Sequence, residues 1–524
     1  MSVRYDSPRY SDGYRKNVID SFGGLDRREG TGDGAIWYME NMSGDYYPLA
    51  APRAPRVFSR VLNKPNGIAG YDGLYYVDGT GFYDNGELKG TVSDSKKSFV
   101  FLGRHLIILP DKFYYTTDTH EFGSLEASWR GTASFKDGTY MGEAAEGCRI
   151  VTSGTAFPFK VGDAVTIEGA SNSENNQTII IREISDDKKS LGFYEHSFTV
   201  ANSQTLTISR TVPDMDFICQ NENRLWGCKG DTIYASKLGD AFNWNVFDGL
   251  ATDSYALDVG SAGDFTGCIA YGGYAIFFKE DQVYKVYGDK PTNFKAMASA
   301  SLGVMSGSAA SLAIAGETLY YLSRVGVMAY TGGIPTLISA VFGDSSYSDA
   351  VAGSDGLKYY ISMRDSKSGE YSLFCYDTRI RRWYREDSNQ AIGFCSYDGL
   401  RMLVSDGNMY RIGAYRLSEE GQTAEMAFKS VLEFGDMTED ILENKHCCKI
   451  QARLELEKGA SVSVYTSFDG GRYSLAKTVT AVEKRCYYIP IRLHRYSYMR
   501  IKLEGVGAWK LLALAKEYTP GSEI

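Results

Sequence analysis

The chain has 524 residues, with 56 Lys and Arg against 65 Asp and Glu, a formal net charge of −9. Charged residues at 23% and hydrophobic ones at 43% make a globular composition and exclude a disordered chain. Aromatics at 13%, including 39 Tyr, together with 56 Gly favour short strands joined by tight turns and exclude an all-helical fold. The acidic balance argues against general nucleic-acid coating.

Residues 1–66 are turn-rich, carry no apolar run of a secretory leader, and read as an extended N-terminal arm. Within them Pro52–Lys64 holds Arg53, Arg56, Arg60 and Lys64 with no acid, a stretch suited to docking an acidic neighbour. From residue 67 to 416 one pattern recurs: a Gly/Asp/Asn turn, a few strand formers, a polar break, then a second short strand carrying Tyr. YDGLYYVDGTGFYDNG and YGGYAIFFKEDQVYKVYG are two examples. The second-strand tyrosines are Tyr83, Tyr114, Tyr234, Tyr284, Tyr330, Tyr376 and Tyr410. Their mean spacing is about 42 once the segment Tyr140–Val212 is set aside, which is the period of propeller blades. The expected fold is therefore all-β, a six- or seven-bladed β-propeller; an irregular β-sandwich is the rival.

The interrupting segment, 140–212, alternates apolar and polar residues over several short strands and reads as an inserted small β-barrel. Ala296–Gly316 is free of charge but poor in bulky apolar residues, so it reads as strand and turn, with no membrane span. After a polar linker, Leu417–Gln422, about six alternating strands over 422–524 predict a C-terminal β-sandwich. A second basic, Tyr-rich stretch covers Lys484–Lys502.

Five His lie apart from one another and none forms HExxH or a zinc-spaced Cys/His set, so no metal site is expected. GTGDGAIW at Gly30–Trp37 lacks the dinucleotide spacing, and no cofactor is expected. Asp111, Asp231, Asp281 and Asp406 sit at turns; they are candidate acids of a propeller glycosidase, but a turn Asp more often caps its own backbone. SFDGGRYS at Ser467–Ser474 resembles part of an Asp-box hairpin and shapes a turn. Nine Cys without a CxxC read as reduced, mostly buried thiols. No catalytic residue and no enzymatic activity are expected.

ENMSGDYYPLAAPRAPR at Glu40–Arg56 resembles the N-terminal arm of β-propeller virion proteins of tailed bacteriophages. NRLWGCKGDTIYASKLGDAFNWNVF at Asn223–Phe247, GVMAYTGGIPTLIS at Gly326–Ser339, the GDAVTIEG… NNQTIIIREI… LGFYEHSF insert and the C-terminal IRLHRYSYMRIKLEGVGAWKLLALAKEYTPGSEI are similar to the same group. The nearest members are the tail nozzle proteins, or tail tubular protein B, with the propeller-type phage stabilisation proteins beside them. The resemblance implies a structural protein of the tail or neck, made in a bacterial cytoplasm and carried in the virion. It implies a homo-oligomeric ring, often of six copies, docked on neighbouring tail, adaptor or portal proteins, through which DNA passes without specific binding. It transfers no catalytic residues, and as partner contacts only Tyr46, Tyr47, Arg53 and Arg56. Paired Glu substitutions at Arg53 and Arg56 are then expected to spare the fold and weaken assembly. Two rival functions remain: a host-surface glycan-binding tail module, and a propeller glycosidase.

Overall fold

A computed structural model describes residues 15–28, 31–32, 34–413, 423–481, 485–491 and 494–520; the expected linker 417–422 lies outside them. The protein is all-β, 55% strand and 2% helix. No described helix is long and apolar enough to cross a membrane. The chain divides into two compact units, Asn63–Ala309 and Met1–Leu62 with Ala310–Ile524.

In the unit Asn63–Ala309, four antiparallel sheets each have four strands hydrogen-bonded in chain order. They are Pro65–Gly70 to Glu87–Thr91, Ser98–Leu102 to Phe122–Ser124, Phe217–Asn221 to Tyr255–Asp258, and Gly267–Tyr271 to Lys295–Ala300. Two-residue turns make such meanders: Gly272 and Gly273 both have positive φ, 60° and 80°, the geometry that matches hairpin twist. No sheet of four short strands buries both faces alone. Successive sheets therefore share cores. Val77 and Phe82 pack with Ile108 and Tyr115, Ile107 and Leu109 with Leu225 and Trp244, and Trp226 and Cys228 with Phe277 and Tyr284. At about 1.5–3 kcal/mol for each large apolar side chain removed from water, these shared faces dominate the unit's stability.

Between the second and third of these sheets, a seven-stranded antiparallel sheet runs from Ala127 to Arg210. It has its own core, with Trp129, Phe135, Ile150, Val165, Phe193 and Ile208 all buried. The expected insertion 140–212 moves upstream at its start. Ala127–Tyr140 is one long strand of this sheet, and the ends that meet are Ala127 and Arg210. The apolar alternation of ASWRGTASF already belongs to this segment, and its continuity with the hairpin after Tyr140 was hidden by the turn residues there.

In the second unit, two more four-stranded sheets span Ala313–Ala315 to Thr336–Leu337 and Tyr347–Ser354 to Arg382–Arg385, and a five-stranded sheet begins with the three strands from Ala391–Ser396 to Asn408–Ile412. This last sheet takes its fourth strand, Val57–Val61, from the N-terminal segment, and Thr423–Ala424 pairs with that strand as a fifth. Six four-stranded sheets and this five-stranded one are thus present among the described residues. Each of the seven spaced tyrosines lies on the third strand of one of them.

The N-terminal segment departs from the expected extended arm. Arg15–Ile19 pairs with Trp509–Pro520, Ile36–Glu40 with Lys429–Phe434, and Val57–Val61 with Asn408–Ile412. The C-terminal region folds as two five-stranded antiparallel sheets, and each has one of these N-terminal strands at its edge. Trp509 and Tyr496 are buried in this region. A domain cut out at residue 422 would lose those edge strands, so residues 422–524 are one part of a unit built from both chain ends. The physical reason is range: each pairing spans hundreds of residues, and strand alternation in a five-residue stretch does not name its partner.

Candidate functional site: a groove beside the N-terminal segment

Met42–Ser43 and Ala51–Pro52 form a small hairpin, and Tyr46 and Tyr47 lie in its connecting turn. The turn is pinned on several sides. Ser43 Oγ donates to Asp45 at 2.6 Å, Lys358 Nζ donates to the other Asp45 oxygen at 2.5 Å, and Ala50 bridges Leu511. Gly44 lies so close to Tyr384 that a Cβ there would sit 2.7 Å from its ring. Tyr46 and Tyr47 nevertheless stay 49% and 40% exposed. The Lys510 ammonium lies 4.2 Å from the Tyr46 ring centroid.

Arg53 and Arg56 follow the hairpin and point inward. Their side chains are buried. Arg53 Nε donates to Asn41 at 3.0 Å, its two terminal nitrogens fork onto Glu425, and its guanidinium lies 4.2 Å over the Phe428 ring. Arg56 pairs with Glu386 at 2.5 Å and with Asp387 at 2.7 Å, and its main-chain N–H donates to Glu425 at 3.0 Å. Burial opposes the Arg56 charge, but Asp387, Glu386 and Glu425 outweigh it and hold its pKa above the usual arginine value. Burial likewise opposes the Asp387 charge, yet Arg56 and the Asn389 N–H hold it below the usual carboxylate range. Two guanidinium groups and three carboxylates thus tie the N-terminal segment to the loop after Arg382–Arg385 and to the strand Thr423–Ala424.

This corrects the expected docking pair. The residues flanked by Pro52 and Pro55 are stiffly presented, as the sequence suggested, but toward this chain's own acids. A buried guanidinium needs charge partners. The absence of any acid within Pro52–Lys64 was a sign of partners distant in sequence rather than of a free basic surface. Glu386, Asp387 and Glu425 carried no signal of their own.

Beside this cluster opens a groove of about 440 Å³, the volume of a ligand-sized cleft. Its walls are Tyr46, Pro52, Pro55, Phe428 and Trp509, and its charged lip is Asp45, Glu455, Glu457 and Lys510. Trp509 donates its indole N–H to Ser430 at 2.8 Å, so its polar atom is used internally and only a small part of its ring reaches the wall. Met426, 91% exposed, adjoins it in sequence. The structure gathers Tyr46 and Arg53 at this groove; Phe428 and Trp509 were not foreseen, since their role depends on strands brought from 370 or more residues away.

Of the four acidic turn candidates, the Asp111 and Asp406 carboxylates are taken up locally, while Asp231 and Asp281 accept through their main-chain oxygens from Val259 and Ser301. Asp111 accepts from Lys97 at 2.5 Å and from the Ser93 N–H at 2.7 Å, and although burial works the other way these bonds keep its pKa low. That is the reverse of what a general acid requires. Asp406 accepts from the Asn408 N–H at 2.9 Å, a self-capped turn. In the partial Asp-box, Asp469 accepts from the N–H groups of Ser497 and Tyr498, and Ser467 closes the turn onto Gly471. Among the described residues no cluster of three His, Cys, Asp or Glu is placed to hold a metal. The charges of Lys484–Lys502 that are described are largely paired, Arg500 with Asp436 at 2.5 Å and Lys502 with Glu504 at 2.9 Å.

No family model matches the chain, and no curated protein does. Among solved structures it is similar to an exo-β-1,3-galactanase from Phanerochaete chrysosporium, at 8% identity over 57% of this chain and 94% of that one, TM-score 0.22. PorZ, a surface component of the type-IX secretion system of Porphyromonas gingivalis, matches at 11% identity over 88% of this chain and 78% of that one, TM-score 0.27. Trypanosoma rangeli sialidase matches at 9% identity over 95% of this chain and 96% of that one, TM-score 0.21. Two of these three proteins are named as a galactanase and a sialidase, so the expectation of no enzymatic activity does not stand as a conclusion. Likenesses of this strength bring no residue, substrate or activity to this chain.

Proposed function

We propose that these seven small sheets are blades of one propeller and that the protein is a structural component of a bacteriophage tail or neck, assembling with further copies of itself into a ring around the DNA path. The order of motifs along the chain supports the virion reading. The observation that carries the assembly reading is the N-terminal hairpin: it is pinned on several sides, yet it presents two exposed tyrosines, of which Tyr46 lines the adjoining groove. Rigid aromatic side chains beside a pocket are what interfaces use as anchors, because little entropy is lost on docking. Closed rings bury such repeated patches symmetrically. With a net charge of −9, the surface disfavours sticking to phosphate, which suits DNA that must slide past.

Native mass spectrometry of the purified protein, with negative-stain imaging of the virion, tests the reading. A defined multimer or a ring is expected, and Tyr46→Ser with Tyr47→Ser should reduce its yield while leaving thermal unfolding unchanged. Monomer alone at high concentration, with no ring in the particle, rejects it.

A further inference from the structure

A second groove, of about 340 Å³, lies within the unit Asn63–Ala309, between the seven-stranded sheet and the loop Trp244–Asp253. Two aromatic side chains from separate loops line it: Tyr194, 50% exposed, and Phe247, 61% exposed. Among the described residues Phe247 is the most exposed phenylalanine. The polar groups of the same groove are Thr166, Thr178, Arg182, Asn245 and Asp248. Thr166 and Thr178 share one hydrogen bond of 2.9 Å, which leaves acceptor capacity on both hydroxyls. Arg182 lies 4.3 Å over the Tyr194 ring and pairs with Asp248 at 2.6 Å, so the site offers a guanidinium fork with its charge already neutralised. Its Nε is buried and has no hydrogen-bond partner. Asn245 makes only long contacts to Thr211, at 3.4 and 3.5 Å.

The groove is built before any ligand arrives. Val246, 2% exposed, packs on Ala164 and Ile180 and seats the loop on the sheet. Asn243 accepts from the Ala164 N–H at 2.9 Å, and Asp253 accepts from the N–H groups of Gly249 and Leu250 at 2.6 and 2.9 Å. A preformed cleft with aromatic faces and a few convergent polar groups is the usual form of a small-ligand site.

We propose that this groove binds a neutral hexopyranose unit of a glycan. A pyranose ring offers an apolar C–H face to Tyr194 and Phe247, and its hydroxyls are donors and acceptors at once, matching Thr166, Thr178, Asn245 and the outer oxygen of Asp248. A purely apolar ligand would desolvate those polar groups without replacing their hydrogen bonds. An anion would meet Asp248, with no uncompensated cation in reach. The site goes beyond the assembly role and is independent of it.

Saturation-transfer NMR and calorimetric titration of the full-length protein with the methyl glycosides of glucose, galactose, mannose and N-acetylglucosamine test this, with sialic acid as an anionic probe. At least one neutral glycoside should bind with a Kd on the order of millimolar, the range expected for a dozen heavy atoms. Tyr194→Ala and Phe247→Ala should each weaken it at least tenfold. Both rings are half or more exposed, so the melting temperature should move little, and Asn245→Ala supplies a second polar probe should either variant unfold. Four results overturn the proposal: no neutral glycoside binding at 20 mM, binding of sialic acid alone, affinity unchanged in both aromatic variants, or a change of native mass in Phe247→Ala, which would make the groove a protein interface.

Discussion

Replacing Arg56 by Met removes the guanidinium at the centre of the buried cluster while keeping an unbranched apolar stem in its place. Wild type sets two guanidinium groups against Glu386, Asp387 and Glu425; the variant sets one against the same three carboxylates. Arg53 keeps its fork onto Glu425 but stands 3.8 Å from Glu386 and 3.7 Å from Asp387, too far to replace bonds of 2.5 and 2.7 Å. Breaking a buried pair by removing one partner costs about 3–5 kcal/mol, because an uncompensated charge is left in a low dielectric. For a unit of this size that is a fall in melting temperature of roughly 6–10 °C. The pH dependence separates charge from packing. The folded-state pKa of Asp387 is depressed, so its contribution is present above the unfolded value and is lost as pH falls through the folded one. Without Arg56 the main depressing charge on Asp387 is gone and burial works on its carboxyl with less opposition, so it protonates at higher pH and relieves the repulsion. The deficit should be largest at pH 7 and shrink as the pH is lowered toward 4. Differential scanning calorimetry of both proteins at several pH values measures it. A melting temperature equal to wild type, or a deficit that ignores pH, would refute the electrostatic account of this cluster.

Gly407 has φ of 92°, and a Cβ on it would meet the Leu62 carbonyl oxygen at 2.0 Å. Gly407→Ala should therefore lower stability by at least about 3 kcal/mol and loosen the N-terminal strand from its sheet. Gly399→Ala, with φ of 91° but ordinary contacts, should cost only about 1 kcal/mol; equal denaturation midpoints for the two variants would exclude the close approach as the cause. Deleting residues 128–209 and joining Ala127 to Arg210 by a short Gly/Ser linker should leave cooperative unfolding at a lowered melting temperature, since those two residues are cross-strand partners and the main core of the excised sheet lies inside the excised segment, while the Val246 seat and the Asp163–Arg210 pair are lost. Soluble protein that melts without a cooperative transition would show that the seven-stranded sheet belongs to the core of its unit.

What the sequence made legible is what neighbours along the chain decide. A hairpin is specified by its own turn and its own alternation, so the seven third-strand tyrosines from Tyr83 to Tyr410 marked seven sheets in advance. The seven-stranded sheet was visible as a break in that period, with its start displaced to Ala127. The groove at the N-terminal hairpin was half visible. Tyr46 stood out by composition, whereas Phe428 and Trp509 looked like ordinary core residues of a distant strand. Arg53 and Arg56 were conspicuous for the wrong reason. Their pairing with Glu386, Asp387 and Glu425 spans 330 to 372 residues, and sequence shows charge without showing its counter-charge.

The same distinction of range bears on how the protein completes itself. These seven sheets draw their first three strands from consecutive sequence, and contacts of that kind close early because the intervening loop is short. The N-terminal strands Arg15–Ile19 and Ile36–Glu40 take their ladder partners from Trp509–Pro520 and Lys429–Phe434. Each is paired in its sheet only after that C-terminal strand exists. The Arg53 and Arg56 cluster sits where these late events converge, with one carboxylate, Glu425, on the C-terminal side and two, Glu386 and Asp387, on a sheet edge. Until both are in place, two guanidinium groups and three carboxylates remain hydrated and nothing is lost. Once the water leaves, each charge depends on all the others. Burying this cluster therefore makes closure of the unit all-or-none: an N-terminal segment that has found only one of its two acidic partners gains little, and the exposed tyrosines of its hairpin are presented in fixed geometry only in the finished fold.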